Sequence, residues 1–373
     1  MARYFAHLPH PVHVAAWVDD LHFSLSTPSH PPCAGFEGGC PVCVEYYGYA
    51  VAAERLWREK AKKLNLPLSP GKGHSVSQRG AFTGIAIDTF RGLFTMLPDK
   101  LAGLVDALQQ LRASSSTTPR LVSRSRGKLL HYDCALQYSR VAAASLSQFI
   151  HSAESGLGPA AVPSLRDEAS APFEWDRQLG PPSPRARRAI DFALTAIQSY
   201  AARGQPIWPV VPSSLYGAFL DDRLVGSNVL VITFDASVYG WGAVFRTSPR
   251  DHGMVVVSGF REAAALTGLP FLEAQAVSDD PAAQVYREAL AGYLALHAAS
   301  QHFALSRFSI LIRNDCMGAL AALRKGSFRS PALQDVALKF ASLCIQLDIS
   351  PPPAFLFAPG EVLKAEGVDE LSW

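Results

Sequence analysis

Cysteine is scarce in this chain, with six in 373 residues. Three cluster near the amino end and three stand apart as Cys134, Cys316 and Cys344, which is not the pattern of a secreted disulfide scaffold. No apolar run reaches the roughly eighteen residues of a membrane span, and no signal peptide is present. Together these absences predict a reducing intracellular setting, nuclear or cytoplasmic, and no membrane partner. An excess of one charge is missing too: 34 Lys and Arg stand against 32 Asp and Glu, a net charge of +2, so the whole molecule exerts no strong pull on a polyanion. There is no internal repeat, P-loop or dinucleotide fingerprint, because Gly38-Gly39 lacks the flanking strand and helix. With 49% hydrophobic residues the chain can bury at least two cores, and its length suits two or three domains.

Four acids carry the most information. Asp235 lies in the apolar β-branched run from Val229, and Tyr239 to Phe245 reads as the returning strand. Glu288 belongs to a helical stretch, Ala282 to Ser300, in which Val285, Leu290, Tyr293, Leu294 and His297 recur at helical spacing. Asp315 follows the apolar strand Phe308 to Asn314 and precedes a helical run, Met317 to Leu323, which puts it at a strand's carboxyl end, where α/β sheets bind ligands. Asp369 falls in a last short helix, Val362 to Leu371. Taken singly, Asp315 reads as a helix cap and Glu288 as a surface helix residue. The order strand-Asp, helix-Glu, strand-Asp, helix-Asp predicts one α/β domain whose carboxylates meet. Oxygen-only ligands of this kind suit Mg²⁺ or Mn²⁺.

With those residues in place, the segment from about Leu224 to Trp373 resembles a ribonuclease H domain, in the version carried by retroelement reverse transcriptases. The resemblance implies an α/β fold, α+β over the whole chain, with a mixed five-stranded sheet and flanking helices. It also implies hydrolysis of the RNA strand of an RNA–DNA hybrid with two Mg²⁺ ions on Asp235, Glu288, Asp315 and Asp369. The chain departs from the family pattern where Phe357 or Ala358 replaces a His ahead of the Pro359-Gly360 turn. Cys316 stands where relatives carry Asn, and the stretch from Gly360 to Asp369 is a residue or two long.

Near the amino end, Val12 to Leu25 reads as a β-hairpin with Asp19 and Asp20 at its turn. An amphipathic stretch follows from Ala50 to Leu64, then Leu66 to Lys72, Phe82 to Thr89, and Leu97-Pro-Asp-Lys100 opening a helix from Leu101 to Leu111. Taken alone, Asp19-Asp20 is a polar turn. In this order, the segments resemble the palm end and thumb start of retrotransposon polymerases, the tyrosine-recombinase (DIRS-like) group being the best likeness, with Arg120 to Ile150 as the helical thumb. The resemblance matches Lys72 to a lysine that protonates the pyrophosphate leaving group, although a solvated turn lysine is an equal reading. The eighteen residues ahead of Asp19 hold no acid, so the expectation is an incomplete palm that does not polymerise alone and that relies on another chain for fingers and the missing palm strand.

A third motif is local. His30, Cys33, Cys40 and Cys43 have the spacing His-x2-Cys-x6-Cys-x2-Cys in a stretch dense in Gly and Pro, which suits a tetrahedral Zn²⁺ site that would order a loop poor in apolar residues. Three reduced loop thiols are the alternative, and His22 is a substitute for His30.

Local basic groups exceed the global balance. Arg120, Arg124, Arg126 and Lys128, with Arg112, gather in the thumb-like region; Arg185, Arg187 and Arg188 open a later helix; Arg324, Lys325 and Arg329 follow the Asp315 helix. The first and last groups are candidate phosphate contacts, against the plain reading of solvated helical faces. Composition shifts at Ser152 to Pro172 and Asp221 to Ser227 predict four segments: 1–113 palm-like with the Cys-rich insertion, 114–156 thumb-like, 157–226 linker and connection, 227–373 ribonuclease H-like. A decayed or domesticated reverse-transcriptase fragment that binds nucleic acid or protein without cutting is the alternative to the nuclease.

Overall fold

Three helices begin with the same chemistry. Thr118-Pro119, Ser183-Pro184 and Ser330-Pro331 each place a hydroxyl at the N-cap and a proline at the first helical position. The three hydroxyls accept from the amides of Leu121, Ala186 and Leu333 at 3.2 to 3.3 Å, occupying donors that a helix start leaves open.

The structure is a computed structural model and describes residues 12–17, 20–25, 40–63, 79–88, 91–151, 175–206, 211–220, 228–261, 281–327 and 329–372. Two compact units divide the chain, Met1–Phe94 and Thr95–Trp373. In the first, β1 (Val12–Trp17) and β2 (Asp20–Leu25) form the expected antiparallel hairpin, with Trp17 opposite Asp20. Asp19, Lys72, His30 and Cys33 lie outside the described residues. Helix α1 (Pro41–Lys63) starts nine residues earlier than its amphipathic pattern suggested and takes in Cys43, whose side chain is buried. β3 (Arg79–Phe82) and β4 (Ile85–Asp88) pair across Thr83-Gly84, both at positive φ, as a two-residue hairpin turn requires. β5 (Leu93–Met96) crosses the unit boundary.

The second unit has a helical layer and a sheet. The layer is α2 (Pro98–Ala113), α3 (Pro119–His131), α4 (Ser139–His151) and α5 (Pro184–Tyr200), packed on one another, followed by the short β6 (Gln205–Pro206) and α6 (Pro212–Leu220). The sheet is mixed and five-stranded, in the order β11 (Ala354–Phe357), β10 (Ser309–Asn314), β7 (Val229–Ala236), β8 (Trp241–Arg246), β9 (Met254–Ser258). β7 runs antiparallel to β8 and parallel to β10, which is parallel to β11. All eight residues of β7 are buried, as a continuous apolar run in a central strand demands. This is the ribonuclease H-like mixed sheet with flanking helices that the sequence led us to expect.

Helix α7 (Pro281–His302) lies on β7, with Gly292 at the crossing, where a Cβ would sit 2.8 Å from the Phe234 ring. α8 (Met317–Lys325) and α9 (Pro331–Gln346) complete that layer, and α4 and α5 of the helical layer pack on α9. The contact is polar as well as apolar. Gln334, fully buried on α9, donates to the Val141 carbonyl and the Ser145 hydroxyl. Asp335 pairs with Arg185 and Arg188, at 3.0 and 3.6 Å.

A second element differs from expectation. The single helix foreseen from Val362 to Leu371 is two pieces, α10 (Gly360–Ala365) and a 3-10 turn, Asp369–Ser372. Gly367 at φ +72 ends α10, with the Val368 amide bonded back to the Leu363 carbonyl, a glycine-terminated C-cap. The break lets the 3-10 turn that Asp369 opens pack against β7 and β8.

Candidate metal centre

Each acid reaches the site by a different route. Asp235 is the penultimate residue of β7, Glu288 lies two turns into α7, Asp315 follows the last residue of β10, and Asp369 opens the final 3-10 turn. Asp235, Glu288 and Asp315 bring one carboxylate oxygen each within 4.8 Å of one another. Among the described residues theirs is the only such group of metal-ligating side chains. Asp369 stands outside that triad, yet its charge acts on both Asp235 and Asp315.

Electrostatics marks the cluster as uncompensated. Burial pushes the Asp235 carboxyl from the usual 3.8 up to about 6, with the Ser372 hydroxyl opposing and the charges of Asp315 and Asp369 adding. Glu288 is raised well above its usual value, by burial first and then by the charge of Asp235. Asp315 is raised by burial and by Asp369. Among the described residues no Lys or Arg stands among the causes of these three shifts, so the triad's like charges face one another, while the fourth acid, Asp369, has Lys364 Nζ at 3.9 Å. A purely structural cluster would carry a basic partner. The all-oxygen donor set therefore fits a hard divalent cation.

Hydrogen bonds fix the carboxylates. Glu288 accepts from Gln284 Nε2 at 2.6 Å and from Asn314 Nδ2 at 3.0 Å. Asn314, fully buried, also donates to the Phe234 carbonyl and accepts from the Cys316 amide at 2.8 Å. It is thus Asn314 that serves the start of α8, and Asp315 is not spent as a cap. Asp235 accepts from Ser372 Oγ at 2.8 Å, and the Ser237 hydroxyl holds the Ser372 carbonyl in turn. Glycines set the approach: a Cβ at Gly360 would lie 3.1 Å from Asp315 Oδ2, and one at Gly242 would run into Leu371. Asn314, Gln284 and Ser372 were not foreseen. Their one signal was spacing, namely the residue before Asp315, four before Glu288 and three after Asp369.

The other expected sites are spread out. Phe357 ends β11 opposite Asn314 and is 45% exposed, and Ala358 after it is buried. Cys316 is the N-cap of α8, without a side-chain cap bond, and burial raises its thiol pKa. Arg120 pairs with Asp176 at 2.7 Å, Arg112 with Asp191 at 2.6 Å, and Lys128 donates to the Gly103 carbonyl. Those three cations are engaged within the protein, while Arg124 is exposed and Arg126 partly buried. Arg324 and Lys325 end α8, and Arg329 adjoins the N-cap of α9. Cys40 and Cys43 flank the first turn of α1, where the Val44 amide bonds the Cys40 carbonyl. Asp20 opens β2. Among the described residues no helix is long and apolar enough to cross a membrane.

Comparison with known proteins adds little beyond this geometry. No protein-family profile matches the chain, and no curated protein does. Among solved structures the chain is similar to a foamy viral protease-reverse transcriptase in complex with double-stranded DNA, at 12% identity and a TM-score of 0.31. That likeness covers 96% of this chain and 47% of the viral one, so the chain spans about half the length of the structure it matches.

Proposed function

We propose that the chain is a retroelement-derived ribonuclease H that cuts RNA in RNA–DNA hybrids, joined to a polymerase-like segment of the DIRS-like kind. The convergence of Asp235, Glu288 and Asp315 within 4.8 Å carries this reading. Asp235, Glu288, Asp315 and Asp369 would hold Mg²⁺ or Mn²⁺, which in such a site activates water and stabilises the leaving oxygen of a phosphodiester. The protein's own share is placement. Asn314 and Gln284 orient Glu288, Ser372 orients Asp235, and Gly360 leaves room beside Asp315. Arg324, Lys325 and Arg329 offer cations for the hybrid's phosphates, with Arg124 and Arg126 a further group. Zn²⁺ on His30, Cys33, Cys40 and Cys43 belongs to the same proposal, and elemental analysis of protein prepared without added metal tests it, at about one ion per chain.

Purified chain with Mg²⁺ or Mn²⁺ should cleave a labelled RNA–DNA hybrid and leave duplex DNA intact, and Asp235→Asn should abolish cleavage while the fold persists. Cleavage that survives Asp235→Asn refutes the assignment. A second reading, a nucleic-acid-binding fragment without turnover, is favoured by Phe357 in place of the family's His; hybrid binding without cleavage would select it.

A further inference from the structure

Arg313 is out of place by pattern. Leu311, two residues earlier on the same face of β10, packs with Phe219, Val229 and Val231, and the strand's alternation calls for another apolar residue at 313. Instead a guanidinium is buried to 3% exposure there. Its Nη1 donates to both oxygens of Glu366, at 3.0 and 2.9 Å, and its Cζ lies 4.3 Å from the centre of the Tyr216 ring of α6. Arg246 of β8 reaches the same carboxylate at 3.4 Å. Arg313 Nε and Arg246 Nε remain buried without partners, so the cluster is not an optimised source of stability. Apolar residues of similar volume commonly match or exceed a buried ion pair.

The location of the pair is informative. Arg313 precedes Asp315 by two residues on β10, and Glu366 precedes Asp369 by three, next to the Gly367 turn. One ion pair therefore ties the segment carrying the third carboxylate to the segment carrying the fourth, the only one of the four borne by a short terminal turn. We infer that Arg313 and Glu366 are positioning residues that hold the Asp369 turn at the sheet's end, so that the fourth carboxylate joins the three already gathered. This rests on the metal-site reading above.

The test uses the full chain and Mn²⁺, titrated with the EPR signal of the free ion as the readout and thermal melting in EDTA as the control. The double variant Arg313→Met/Glu366→Leu removes the buried pair and leaves only the partly exposed Arg246 without its carboxylate, so it should melt close to wild type, while Mn²⁺ affinity falls roughly tenfold or more. Adding Asp369→Asn to it should cost little further, because the ligand is already displaced. Glu366→Gln, which keeps the oxygen but not the charge, should show a smaller loss and serves if the double variant does not fold. Wild-type Mn²⁺ affinity in either the double variant or Glu366→Gln overturns this inference alone. A wild-type chain that binds no Mn²⁺ overturns the metal-site reading, and this inference with it.

Discussion

Asp235→Asn should stabilise the metal-free protein at neutral and alkaline pH. An unfolded Asp titrates near 3.9, whereas Asp235 in the fold titrates at about 6 because it is buried beside Asp315 and Asp369. Between those values the folded chain holds a proton that the unfolded chain has released. Stability therefore declines as pH rises from about 4 to 6 and stays lower above that. Two pH units correspond to about 3 kcal/mol, an upper figure for one carboxylate in a coupled cluster. Asparagine removes this cost and keeps an oxygen to accept from Ser372. The gain should approach 3 kcal/mol at pH 8 in EDTA and vanish near pH 4, a shift of roughly 6 °C in melting temperature at about 2 °C per kcal/mol for a unit of this size. Divalent metal should stabilise wild type and leave the variant unmoved. Thermal melts of both proteins at pH 4 and pH 8, with EDTA and with Mg²⁺, give the answer. A variant that loses equal stability at both pH values would refute the electrostatic reasoning, since Asp235 would then be a packing residue.

Further expectations follow from the same contacts. Asn314→Ala removes a donor from Glu288 and another from the Phe234 carbonyl; calorimetry should find divalent-metal affinity down about ten- to a hundredfold, and denaturant unfolding a loss of about 1–3 kcal/mol. Gly242→Ala forces the Leu371 turn away from β8; a melting loss of about 1–3 kcal/mol with weakened Mn²⁺ binding is expected, and an unchanged titration would contradict the placement of that turn. Metal affinity itself should hold steady at alkaline pH and fall through the Asp235 value of about 6 as protons compete for the ligands, by up to tenfold per pH unit for one proton. An affinity flat down to pH 4.5 would place the metal elsewhere.

The sheet was legible in the sequence because its central strands are buried on both faces. A run such as Val229 to Phe234 reads as a strand without help from alternation. Asp235, Glu288 and Asp315, which the fold gathers, were legible because each sits next to such a run or on a helix of matching period. Their partners were not, since Asn314 and Ser372 look like ordinary polar residues until tertiary contacts bring β10 and the final turn to Glu288 and Asp235. The end of the last helix was missed for a local reason: Gly367 was read inside a short periodic stretch, and its left-handed φ shows only in the backbone. The role of the cations was the least readable. Arg120 and Lys128 read as candidate phosphate ligands in the sequence, which gives no sign of the partners the fold adds, Asp176 and the Gly103 carbonyl, groups distant in sequence.

Anomalous diffraction from crystals grown with Mn²⁺ bears most directly on the claim that these carboxylates form a cation site. The account predicts a strong peak between Asp235, Glu288 and Asp315, lost in Asp235→Asn crystals. Manganese bound only elsewhere, with the three carboxylates still clustered, would contradict it.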